Sequence, residues 1–259
     1  MLAPERVWAI LAGLRNFTTY RWAVFILCLV ALPAFGQQRE KDSFRIKEAS
    51  FSLPQPLPAG HYSSAIGLIY VVTPPDWTLD NIKAPMFSYQ GKYTLPMGLN
   101  LQAGLTTLII SNRWHLGPYW NYQSRNNYLG IGWNVAWNYG RLNEFGFATT
   151  LTGWEQQPSI AYGHCFEKTA VIFRADLYWT NALYVSEGKH SIPYTNGFVN
   201  GYSFSITFDQ QLYKRKGLSL GLKMDYVRYH IIAWPAFPVN GKRYWLPEFQ
   251  IGLNILKRS

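Results

Sequence analysis

Cysteine and charge are what this sequence has least of. Its 259 residues include 2 Cys, and charged residues make up only 15%. Cys28 lies in an apolar N-terminal run, which leaves Cys165 as the one thiol beyond it. Neither an intramolecular disulfide nor a cysteine metal cluster can then form in the rest of the chain. So little charge is unlike an ordinary soluble surface, while 17% aromatic residues is unlike a disordered chain. Beyond Gly36 no apolar run approaches the roughly 20 residues that a membrane-spanning helix needs. No glycine-rich phosphate loop, zinc-ligand spacing or serine-elbow motif is present. If the chain beyond residue 36 spans a membrane, it does so with strands.

The apolar run itself has a clear reading. Arg6, Arg15 and Arg21 precede Trp22–Gly36, which ends in the small residues Ala34 and Gly36. A basic region, a short apolar core and a small-residue site describe a secretory signal peptide, so residues 1–36 are expected to be removed before Gln37. Removal takes away three Arg and one Glu and leaves a net charge of +8 from the original +10. Residues 37–59 are polar and then proline-rich (L-P-Q-P-L-P-A-G), and are expected to form a periplasmic lead-in or tether, with residues 60–259 as the main domain. A basic balance raises the question of nucleic acid, but no basic helix or stacking motif accompanies it and the leader exports the chain. No nucleic-acid partner, cofactor or metal is expected.

What is abundant is alternation. In Leu129–Tyr139 (L-G-I-G-W-N-V-A-W-N-Y), Leu129, Ile131, Trp133, Val135, Trp137 and Tyr139 share one side of an extended strand. Gly130, Gly132, Asn134, Ala136 and Asn138 share the other, because a strand turns successive side chains to opposite faces. The same pattern recurs at 62–72, 87–95, 97–109, 145–151, 159–165, 171–179, 202–208, 218–224 and 249–255. About ten strands result, near the 9–11 residues of a tilted membrane strand. Taken up and down, the longer links are 73–84, 110–128, 152–158, 180–201 and 231–244, with Trp114–Tyr122 assigned to an outer loop or strand extension rather than to a crossing of its own. The tighter ones are Pro96, 140–144, 166–170 and 209–217.

With these segments the chain resembles small outer-membrane β-barrel proteins of Gram-negative-type bacteria. The resemblance runs from Tyr62 to Leu256 and is architectural, without a motif of a particular family. It implies an all-β, transmembrane, antiparallel up-and-down barrel of about ten strands, within a range of about eight to twelve. It also implies residence in the cell outer membrane, with short periplasmic turns and longer outer loops. Partners would be outer-membrane lipid, including lipopolysaccharide, and the export and barrel-assembly machinery. Against this stands the inverted arrangement, a soluble secreted barrel with its apolar face inside around an apolar ligand. Alternation alone does not separate the two.

Candidate chemistry lies on the polar face and in the loops. Arg174, Asp176, Asp209, Lys223 and Asp225 fall on three consecutive strands, where neighbouring side chains can pair. Inside a barrel they read as a salt-bridged filling of a narrow lumen, or as a site for a charged solute. An enzyme acting on outer-leaflet lipid would need a nucleophile and base at the outer rim, where Ser186, Glu187, His190 and Ser191, with Ser111 and His115, are the candidates. His164 is placed towards the periplasmic end, as a girdle or turn residue. Lys83, Arg113, Arg125, Lys189, Lys242 and Arg243 are expected at the outer rim, and Arg141, Lys168, Lys214, Arg215 and Lys216 at the other. Tyr139, Trp179, Tyr202 and Tyr244 are expected in aromatic girdles. The reading that follows is a barrel with a narrow or filled lumen and a structural or surface-interaction role. Catalysis is the lesser alternative.

Overall fold

The computed structural model describes residues 50–74, 83–143, 148–187, 190–212, 216–232 and 242–257. Ten strands form one closed antiparallel barrel. They are β1 (Tyr62–Val72), β2 (Lys83–Thr94), β3 (Leu99–Thr107), β4 (Ser111–Ser124), β5 (Asn127–Leu142), β6 (Thr149–Cys165), β7 (Thr169–Glu187), β8 (His190–Gln211), β9 (Lys216–Val227) and β10 (Tyr244–Lys257). Each pairs with its neighbours in sequence, and β1 closes on β10 with Tyr62 opposite Lys257 and Val71 opposite Glu248. The end of the barrel that carries Tyr62 and Lys257 is called lower below, and the opposite end upper.

The expected count is right, but two assignments within it were compensating errors. Trp114–Tyr122 is no loop: it lies in β4, in register with β3 (Leu105 opposite Trp114) and β5 (Trp114 opposite Trp137). The segments expected at 145–151 and 159–165 are not separate strands, because β6 runs unbroken through 152–158. The expected long link 180–201 is also mostly ladder, since β7 and β8 pair up to Glu187 opposite His190. The upper links are therefore 73–82, 108–110, 143–148, 188–189 and 228–243, and the lower ones 95–98, 125–126, 166–168 and 212–215. Arg125 consequently sits in a lower turn and Arg141 at the upper end of β5, the reverse of expectation. At the tight lower turns the backbone turns left-handed, at Met97 (φ 62°), Gly98 (φ 75°) and Arg125 (φ 55°).

The wall decides which face meets which medium. Side chains at Leu68, Leu101, Ile131, Trp133, Phe204 and Leu253 point away from the barrel and are exposed, while Asn100, Asn134, Asp176, Ser203, Asp209 and Asn254 are buried inside it. On β5 the two classes alternate residue by residue, as the sequence implies. A belt of apolar side chains around a closed wall is stable only in an apolar solvent, and closure leaves no backbone edge unbonded in it. The inverted, soluble arrangement is overturned by this polarity. The chain is a transmembrane barrel.

Aromatic rows mark the upper edge of the belt. Trp114, Trp137 and Trp154 stack across β4, β5 and β6 at centroid distances of 4.8 and 6.1 Å. Tyr202, Tyr226 and Trp245 continue across β8, β9 and β10 at 5.4 and 4.7 Å. Tyr202 and Tyr139 stand where a girdle residue should, but Tyr244 does not: it packs inward, and Trp245 takes the outer place.

Candidate functional site in the barrel lumen

The lumen is filled in three tiers, and the first comes from outside the wall. Residues 50–59, within the stretch expected to be a tether, lie inside the lower mouth. Ser50, Leu53 and Gln55 are buried there, and Leu53 packs with Tyr128, Cys165, Ala170 and Ile172. Lys92 Nζ donates to the carbonyls of Phe51 (3.0 Å) and Leu53 (3.5 Å), and Asn121 Nδ2 donates to that of Gln55 (3.4 Å). Asp209 accepts from the Ser50 hydroxyl and from Ser219 Oγ at 2.5 Å. Pro54, Pro56 and Pro58 keep the segment extended and remove donors that would otherwise need partners. The wall is cut to receive it. A Cβ on Gly163 would lie 2.5 Å from Leu53 Cδ1, and one on Gly130 would lie 2.6 Å from Pro54 Cβ.

The middle tier is a network of charges built by register. Arg174 lies opposite Ser205, Ser205 opposite Lys223, and Lys223 opposite Glu248. Two residues along, Asp176 lies opposite Ser203 and Ser203 opposite Asp225. Opposite signs therefore alternate up the inner stripes of β7 and β9. Arg174 Nε bonds Asp176 Oδ1 at 2.8 Å, and its Nη2 donates to Tyr119 Oη at 2.5 Å. Lys223 Nζ sits 2.9 Å from Asp225 Oδ2 and 3.2 Å from Glu248 Oε2. Tyr178 joins the two groups. Its hydroxyl donates to Asp225 Oδ1 (3.1 Å) and lies 3.0 Å from Ser203 Oγ, which donates to Asp176 Oδ2 (3.2 Å). The Tyr178 ring lies between the cations of Arg113 (5.5 Å) and Lys223 (5.6 Å).

Of the charged residues singled out in the sequence, Arg174, Asp176, Lys223 and Asp225 are thus brought together. Asp209 is not; it belongs to the lower tier. Four partners were missed. Arg113, expected at the rim, is in the lumen, paired with Glu155 at 2.9 Å and with Gln157 at 3.0 Å. Glu248 lies just outside the segment 249–255 read as the last strand, and His230 belongs to the link after β9. Strict period-two reading from the correct strand ends would have placed Arg113, Glu155 and Glu248 inward. Nothing in the sequence marks His230.

The upper tier is apolar. Ile231 and Ile232 turn into the barrel and pack with Val71, Met86, Tyr178, Val227 and Leu246. Asn200 clamps the root of this turn, accepting from the backbone N–H groups of Arg228 (3.1 Å) and Tyr229 (2.9 Å). His230 Nε2 lies 3.0 Å from Glu248 Oε1, while its Nδ1 accepts from Ile232 N at 3.3 Å. With Nδ1 accepting, the proton belongs on Nε2 and is donated to Glu248. Asp225, His230 and Glu248 bring their donor atoms within 4.8 Å of one another, a spacing a metal could use. Lys223 already supplies positive charge between the two carboxylates, however, and the imidazole proton faces Glu248. This wiring is that of a latch between the turn and the wall. Between the tiers lies a cavity of about 230 Å³, lined by Gln90, Gln102, His115, Arg174, Lys223 and Gln250 among others.

The rim candidates fare differently. The Ser186 hydroxyl is engaged with Thr150 across the β6–β7 seam. The side chains of Glu187, His190 and Ser191 lie outside the described residues, as do Lys189, Lys214 and Arg215 and the side chain of Lys83. Ser111 and His115 are in β4, the former buried and the latter on the cavity wall. His164 is at the lower end, 2.8 Å from Asn127 Oδ1, as a turn-side residue should be.

No protein-family model and no curated protein matches the sequence. Solved outer-membrane barrels do align with it. Neisserial surface protein A is 13% identical with a TM-score of 0.39, covering 76% of this chain and 97% of its own. The translocator domain of the autotransporter NalP from Neisseria meningitidis is 10% identical with a TM-score of 0.38, covering 98% and 99%. An outer-membrane channel from Pseudomonas putida F1 is 9% identical with a TM-score of 0.39, covering 85% and 100%. The chain resembles outer-membrane β-barrel proteins in architecture, without a specific family.

Proposed function

We propose that this chain is an outer-membrane barrel whose lumen is closed at rest, and that its role is structural or interactive at the cell surface. In this reading residues 1–36 export it, the lower end faces the periplasm, and the upper links and girdles meet the outer leaflet. The lipid of that leaflet, lipopolysaccharide included, and the barrel-assembly machinery are its partners. The observation that carries the closed lumen is the pairing of its charges. Arg113, Arg174 and Lys223 each hold at least one carboxylate within 3.2 Å. Charges so engaged brace the wall at rest rather than form a binding site for a charged solute.

The test is gel mobility of the detergent-extracted outer-membrane fraction, unheated against boiled, followed by the same measurement on Arg174→Met and Asp176→Asn. The wild type should shift on heating. Each variant should unfold at a lower temperature, because each leaves a charge without its partner. Release of the protein into the medium without detergent would sink the membrane reading, and unchanged unfolding in both variants would sink the brace.

A further inference from the structure

The material that closes the two ends of this barrel does not belong to its wall. The lower tier is a single extended segment, and barrel ladder bonding begins only beyond it, at Gly60 N to Thr94 O (2.9 Å). The upper tier is one turn, 229–232, hinged at the Asn200 clamp. Either can leave without breaking a strand pairing of β1 to β10.

The surface the lower segment would uncover differs from an ordinary core, whereas the upper turn seals an apolar one. Beneath the lower segment the wall presents Lys92, Asn100, Asn121, Asp209 and Asn254, all buried and all polar. Leu53 occupies an apolar pocket there, and Phe51 and Pro54 are the segment's other buried apolar groups. A permanent filling would be expected to pack on apolar wall, because polar groups gain little from burial when water could solvate them equally well. Here water could replace the segment at its contacts with Lys92, Asn121 and Asp209. Behind it the cavity is lined by polar and apolar side chains alike, carries both signs of charge and has room for several waters.

From these observations we propose that residues 50–58 and residues 229–232 are two gates in series, and that the barrel is a passage for small hydrophilic ions and solutes when both are displaced. Leu53 is the catch of the lower gate. Ile231 and Ile232, with the His230–Glu248 contact, are the catch of the upper one. The lower gate rests on few apolar side chains, as segments that open without global unfolding do, while the upper one, with Tyr229, Ile231 and Ile232 packed on the wall, is the firmer seal. The proposal rests on the outer-membrane reading above and adds to it a conducting state.

The experiment is current recording across planar lipid bilayers with the exported full-length protein in potassium chloride. It compares wild type, Leu53→Asp, Ile231→Ser with Ile232→Ser, and all three substitutions together. Leu53→Asp drives a charge out of the apolar pocket, and the serines remove the upper seal. The wild type is expected to be silent, each single gate variant to stay silent or flicker, and the combined variant to give sustained unitary steps. Should Leu53→Asp fail to fold, Lys92→Met weakens the same gate by removing its bonds to the carbonyls of Phe51 and Leu53. A combined variant that shifts on heating, and so is a folded barrel, yet passes no current overturns the gates. Steady current through the wild type overturns them too, since the gates would then close nothing. Absence of any heat-dependent shift in wild type points instead to failure of the barrel reading beneath the proposal.

Discussion

Lys223 is the residue on which the middle tier turns. It faces Asp225, Glu248 and the Tyr178 ring, and its side chain is largely buried. Removing it leaves two carboxylates close together in the lumen with no cation between them. Breaking a buried pair in this way costs about 3–5 kcal/mol, whereas removing all members of such a cluster is often neutral. Lys223→Met should therefore lower the urea midpoint of the detergent-folded barrel markedly. Lys223→Met combined with Asp225→Asn and Glu248→Gln should recover most of that loss. If the single variant is as stable as wild type, the network braces nothing. Tyr178 shows why such a hub was hard to read in sequence. It lies on the inner face, where polar residues dominate, and a bulge between Tyr178 and Trp179 shifts the register beyond it. Simple alternation from Arg174 and Asp176 already turns it inward; what the sequence does not show is that its hydroxyl bridges Asp225 and Ser203.

At the scale of elements, legibility followed how faithfully each strand obeyed the two-residue period. β5 was read within a few residues of its limits because every outward position from Leu129 to Tyr139 is apolar. β4 was lost because it breaks the rule on both faces, with Pro118 outside and Tyr119 inside, where Tyr119 carries Arg174. β6 was cut in two by Gln156 and Pro158, polar and ladder-breaking residues on its outer side; Gln156 is satisfied there by Asn181 at 3.2 Å. Residues 50–58 were read as part of a lead-in or tether because their prolines exclude strand and helix alike, and their burial depends on glycines more than 70 residues away. The element that was read best also offers the sharpest test of lipid contact. Val135 lies midway along the outer face of β5, between Leu116 and Gln156 on its neighbours, and Tyr139 lies at the upper edge. A lipid-facing charge is destabilising by about 2–4 kcal/mol at the midplane and by about 0–1 kcal/mol near an interface. Val135→Arg should then destabilise the vesicle-embedded barrel far more than Tyr139→Arg in urea titration. Equal effects would mean that this face does not cross hydrocarbon.

For the whole molecule, the two cysteines offer an internal gauge of both folding and processing. Cys165 closes β6 at the lower end and is buried against Leu53, so the intact barrel with its lower gate seated should shield it. A thiol reagent needs the thiolate and needs access, and the folded state withholds the second. Cys28 lies in the leader, and is present in the mature chain only if the leader is kept. Maleimide labelling of protein from the outer-membrane fraction, unheated and then boiled, separates these questions. Signal cleavage before Gln37 and a closed barrel together predict no label in the cold sample and a single label per chain after boiling. A second label after boiling would show that the leader is retained and that export proceeds without its removal. Label in the cold sample on protein that still shifts on heating would mean that Leu53 does not cover Cys165. Because Leu53→Asp should open that same pocket, its cold sample should take up label while the wild type does not. The lower gate is thereby visible in a measurement that involves no current at all.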